Sequence, residues 1–146
     1  MHVAVVNRQK KRVKVVRLER IAEAVMAAEG CHPDAELSVV IGDDSRIRGL
    51  NRRYKRKDTA TDVLAFAQGE SPSRAGPLLG DVVISVETAA RQAKERGHGL
   101  AHELAILLAH GILHLTGWSD ETPAEQRRMM RRTEQVLKQI GEWEEL

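Results

Sequence analysis

The sequence predicts an α+β domain, one sheet of about four strands covered by helices, and three observations predict it. Runs of β-branched residues short enough for strands are interleaved with longer runs of helical periodicity, in the order β-α-β-α-β-β-α-α-α. The 146 residues, 42% of them hydrophobic, suit one domain, 1–146, with a sizeable core. One helical run, LAHELAILLAHGILHL, is apolar on nearly every side, as a central buried helix must be.

Each element has its own signal. VAVVN reads as the first strand, and RLERIAEAVMAAEG as a helix ended by Gly30. LSVVIGDD is a strand followed by a short helix near 45–53, and VLAFA at 63–67 is a further strand. GESPSRAGP, 69–77, has the Gly, Ser and Pro content of a loop and separates two halves of the domain. GDVVISVE is the clearest strand, and helices follow near 87–96, 99–116 and 123–140. The last of these, rich in Arg and Glu, reads together with Trp143 as an amphipathic cover with a solvated face.

Composition narrows the function classes. With 3% aromatic residues the core must be built from Leu, Val, Ile and Ala. No apolar run approaches the roughly 18 residues of a membrane span, and MHVAVVNRQKKR holds only a brief apolar patch, so we expect a cytoplasmic protein with neither signal peptide nor membrane segment. The single cysteine, Cys31, excludes an internal disulfide, fits a reducing compartment and receives no role. Net charge is only +2, yet Arg46, Arg48, Arg52, Arg53, Lys55, Arg56 and Lys57 put seven positive charges into twelve residues, with a second cluster at Lys10, Lys11, Arg12 and Lys14. Charge runs are usually solvated faces; this one gains meaning only beside a catalytic centre.

The central helix carries the chemistry. At about 100° per residue, Glu103, Leu107, His110 and His114 fall along one stripe. A buried imidazole whose nitrogens lack partners costs on the order of 1–3 kcal/mol. Two core histidines bonded to backbone or water would be one answer; a shared metal is the sharper one, because histidines at i and i+4 point the same way. Gly111 would leave room beside the first ligand, and Gly117 supplies the left-handed residue that turns the chain back toward Asp120. The pattern His110-x3-His114-x2-Gly117-x2-Asp120 has the three-ligand spacing of a helix–turn zinc site with a fourth position open, so we expect one Zn²⁺, or another divalent ion, per chain. Two alternatives stay open: Asp120 as the cap of the helix near Pro123, or Glu121 as the ligand.

The neighbouring residues receive plainer readings. Glu103 is a candidate general base, and better a partner for a histidine N–H. Asp62 and Asp81 stand at strand starts, where a carboxylate caps backbone amides. His98 and His102 are loop and helix-start residues, and Trp118 either stacks on a base or plugs the cleft.

The segments LNRRYKRKDTATDVLAFA, LLGDVVISVETAARQA and HELAILLAHGILHLTGW together resemble the YbeY family, bacterial metal-dependent endoribonucleases associated with ribosomal RNA maturation and ribosome quality control. The resemblance runs from about Leu37 to about Leu137, and residues 110–117 match the family's HGxLHLxGxDH motif without a gap. It implies an α+β domain with zinc at the end of a central buried helix, in a cleft lined by basic residues. Two departures matter. The family's third ligand is a histidine where this chain has Asp120, preceded by Ser119 instead of Asp. The family's functionally important arginine follows a tyrosine; here Tyr54 is followed by Lys55, then Arg56, and lysine lacks the bidentate fork that grips a phosphate.

With that resemblance in view, we expect Lys55 and Arg56 to stabilise charge building on the scissile phosphate, and Arg46, Arg48, Arg52 and Arg53 to hold the backbone of ribosomal RNA or its precursors. Ribosomal proteins are candidate further partners. Two rivals compete with a nuclease. A peptidase with this histidine spacing needs a glutamate where Gly111 stands. A non-catalytic ribosome-assembly factor would use zinc for structure alone, which an open coordination position opposes.

Overall fold

The computed structural model describes residues 1–55, 61–67 and 78–143. Its strands are β1 (His2–Asn7), β2 (Glu36–Gly42), β3 (Val63–Ala67) and β4 (Leu78–Ser85). They form one mixed sheet in the order β1-β2-β4-β3. β1 pairs parallel with β2, Val5 opposite Val39, and β2 parallel with β4, Val39 opposite Val82. β3 closes the edge antiparallel to β4, Leu64 opposite Val83. The helices are α1 (Val15–Ala28), α2 (Asp44–Leu50), α3 (Val86–Arg96), α4 (Leu100–Leu115) and α5 (Pro123–Gln139). This is the expected α+β order. The short helix near 45–53 differs in detail: α2 ends at Leu50 and runs on as a wider, π-type turn over Asn51–Lys55.

The period-2 alternation of the strands divides the core in two. On one face Leu37, Val39, Ile41, Val82 and Ile84 meet Leu18, Ile21 and Val25 of α1 and Leu104, Leu107, Leu108 and Ile112 of α4. On the other, Ile47 of α2 packs on Leu64 and Val83. α4 is buried nearly all round, as its sequence requires, and α5 adds Val136 and Leu137 to the main core. Each fully buried Leu or Ile contributes about 1.5–3 kcal/mol, so α4 is the best-fixed element on which a site can stand.

α2 is fixed to α3 through one carboxylate. Asp44 Oδ1 accepts from the hydroxyls of Ser85 and Thr88, at 2.5 and 2.6 Å, and Oδ2 pairs with Arg91 at 2.9 Å. Burial raises the Asp44 carboxyl, but these hydrogen bonds from Ser85, Thr88 and Arg91 and the Arg91 charge outweigh it and hold the group below its ordinary range. Among the described residues no helix is long and apolar enough to cross a membrane.

Candidate functional site

α4 ends in a turn that brings the chain back on itself. Gly117 takes φ 106°, open to glycine and costly for other residues, while its N–H donates to the His114 carbonyl and that of Trp118 to Leu113. The returning segment sets Asp120 Oδ2 3.3 Å from His114 Nε2. One turn earlier, His110 is half-buried with its Nε2 fully enclosed and without a hydrogen-bond partner. Burial lowers the His110 imidazole below its ordinary range; Asp62 and Asp120 pull it up, while His114 and Arg96 push it down. The net result is a neutral ring at pH 7, the protonation state a metal ligand needs. An orphaned buried imidazole nitrogen beside a histidine–carboxylate pair is chemically suited to a divalent cation. Among the described residues no three His, Cys, Asp or Glu side chains are drawn together closely enough to form a metal shell by themselves.

The structure removes one alternative for the acid, the capping role. Thr122, not Asp120, caps α5: its hydroxyl accepts from Glu125 N–H while the Glu125 carboxylate accepts from Thr122 N–H. Glu121 is exposed, and its N–H donates to Ser119 Oγ. Gly111 has a different role from the one expected. A Cβ there would stand 2.7 Å from Val82 Cγ1, so the glycine lets α4 lie close on β4; it does not clear space for a ligand.

Glu103 does bind a histidine N–H, but not that of His110. Fully buried, its carboxylate takes His98 Nε2 at 2.6 Å and Arg96 Nη1 at 2.7 Å, closing the α3–α4 turn. That engagement removes it as a general base. Asp62 caps Val63 N–H at 2.8 Å, as a strand-start carboxylate should, and also accepts from Gln92 Nε2 on α3. Its influence on His110 had no signal in the local sequence pattern, because only the meeting of β3 with the helix layer creates it.

The basic residues gather at α2. Within α2 Ile47 alone is buried; Arg46 and Arg48 on the helix and Arg52 and Arg53 on the turn after it are exposed. Arg46, Arg52 and Arg53 line a surface concavity of about 500 Å³ together with Arg8, a contributor the sequence did not reveal because β1 lies far from α2 in the chain. Lys55 ends the π-type turn; its side chain and the whole of Arg56 lie outside the described residues. After the α4 turn, Trp118 is held in place: its indole N–H donates to Glu29 Oε1 at 2.7 Å.

The family model for Endoribonuclease YbeY matches residues 4–141. Among relatives carrying that name, the protein of Geobacter metallireducens is 45% identical over 142 residues, 94% of each chain. That of Moorella thermoacetica is 47% identical over 132 residues, 85% of each. The protein of Anaeromyxobacter sp. strain Fw109-5 is 49% identical over 125 residues, and the match spans 86% of this chain but 64% of that longer relative. A solution structure from Thermotoga maritima is similar in fold, with TM-score 0.62 at 22% identity over 95% of this chain and 91% of its own.

Proposed function

Since the chain belongs to the YbeY family of endoribonucleases, we propose that it is a metal-dependent endoribonuclease acting on ribosomal RNA precursors, in their maturation and in ribosome quality control. One zinc-like ion per chain would be held by His110, His114 and Asp120. The observation that carries this reading is the buried Nε2 of His110, neutral and without a hydrogen-bond partner, next to the His114–Asp120 pair. A nitrogen in that position costs stability unless something accepts its lone pair, and a cation does so. When bound, the ion supplies Lewis acidity toward a phosphoryl oxygen and lowers the pKa of water toward about 7.

The chain supplies the rest. Arg46, Arg48, Arg52 and Arg53, with Arg8, would hold the RNA backbone by neutralising phosphates, without reading sequence. Lys55 and Arg56, at the end of that cluster, would stabilise charge on the scissile phosphate. Asp62, whose negative charge favours cation binding nearby, would act on His110 electrostatically. A peptidase reading is disfavoured because Gly111 holds the place of the glutamate base and packs on Val82. The test is metal analysis of the purified protein together with cleavage of a ribosomal RNA precursor, for the parent and His114→Ala. About one equivalent of metal and cleavage in the parent alone support the proposal; cleavage retained by a metal-free His114→Ala protein refutes it.

A further inference from the structure

We propose that the outer face of α5, with Trp118, is a second RNA-contacting surface, a track for a single-stranded segment leaving the candidate site. The inference rests on the endoribonuclease reading and adds a place that the metal site and the α2 cluster do not include.

Between Pro123 and Gln139 the chain carries five basic residues and two acidic ones. Arg128, Arg131, Arg132 and Lys138 recur at helical spacing and, with Trp118 and Glu134, line a concavity of about 600 Å³. At 1.5 Å per residue the basic row extends for about 15 Å. Arg128 and Arg131 are exposed, so their charges reach solvent.

The second observation is how Trp118 is held. Glu29, buried at the end of α1, accepts the indole N–H with Oε1 at 2.7 Å, and its Oε2 accepts from Arg132 at 2.6 and 2.8 Å. One carboxylate thereby fixes an aromatic ring and a guanidinium side by side at the concavity. A solvated helix face requires no such arrangement. A preset ring flanked by cations suits a strand whose bases are free to stack and whose phosphates need neutralising, which is the chemistry of sequence-tolerant single-strand binding. A duplex, with its bases already stacked, gains nothing from the ring. Trp118 lies four residues after His114, on the turn that ends α4, so the ring is carried by the same turn as the candidate site.

The experiment uses a 20-nucleotide uridine homopolymer. Arg128→Ala/Arg131→Ala should bind it several-fold more weakly than the parent, with the slope of log affinity against log salt reduced by about 1.4, the share of two single-strand phosphate contacts, and with an unchanged melting temperature. In Trp143→Phe, where Trp118 is the only tryptophan, the homopolymer should quench the emission and an RNA duplex of equal length should not. Parent-like affinity and slope in the double variant, or emission that the homopolymer leaves unmoved, overturns the track. A parent that binds no RNA at all overturns the endoribonuclease reading as well. If α5 instead served an acidic protein, the double variant would keep its RNA affinity, and the track would fall while that reading stood.

Discussion

His114 Nε2 and Asp120 Oδ2 face one another at 3.3 Å across the turn made by Gly117. The distance is long for a strong hydrogen bond, and the aspartate side chain is half exposed, so the pair alone contributes little to folding. Its value lies in bringing an anionic oxygen and an imidazole to one point.

Asp120→Ala is therefore expected to weaken zinc binding by roughly tenfold or more, while Glu121→Ala leaves it unchanged and Asp120→His retains the metal. Competition with a chromophoric chelator measures all three. Loss of zinc in the Glu121 variant, with parent affinity in Asp120→Ala, would move the ligand by one residue.

How far the sequence led is visible in the same region. Periodicity was sufficient for the elements, because strand and helix repeats are local and α4 is apolar all round. Strand order was not, since parallel pairing of β1, β2 and β4 depends on contacts between distant segments. The helix start at Thr122 was legible: TPAE carries a capping box with proline at the first helical position, the signal that frees Asp120 from a capping role. Gly111 was not, because the reason for it is Val82, on another element. Glu103 was half legible; the helical stripe pointed to a histidine, but the turn at Gly97 supplied His98 before the helix could supply His110.

Gly111→Ala should destabilise the protein by about 1–3 kcal/mol, because the added methyl meets two Val82 carbons at 2.7 and 2.9 Å in a filled core. Chemical denaturation of Gly111→Ala, Val82→Ala and the double variant tests the cause. The double variant should lose less than the sum of the two singles; strict additivity would show that the methyl clashes elsewhere.

The Asp44 node predicts a loss of stability in acid. A carboxyl held below its ordinary value of 3.8 stabilises the fold fully above that pH and loses its contribution as pH falls through the lower, folded-state value. The stability gap between the parent and Asp44→Asn should thus be constant near neutrality and shrink below about pH 3.8. Urea melts at pH 7, 4 and 3 measure the gap, and one that stays constant to pH 3 contradicts the assignment. Because Asp44 fixes α2, Asp44→Asn should also loosen the arginines that α2 carries.

The last expectation separates holding RNA from acting on it. Arg52 and Arg53 are exposed on the turn after α2 and border the concavity that also contains Arg8 and Arg46, and the proposed function gives them phosphate neutralisation. Arg52→Ala/Arg53→Ala should weaken affinity for single-stranded RNA and reduce its salt slope by about 1.4, with kcat affected less than KM. Lys55 stands at the end of the same turn, and a charge that meets the phosphate mainly as negative charge builds on it should behave in the opposite way. Lys55→Ala should reduce kcat by tenfold or more with a small change in affinity, and Lys55→Arg should retain most of the rate, since a guanidinium preserves the charge and adds the fork that lysine lacks. Equal losses in kcat and affinity for Lys55→Ala would make it one more residue that grips the backbone, leaving the charge on the scissile phosphate to Arg56.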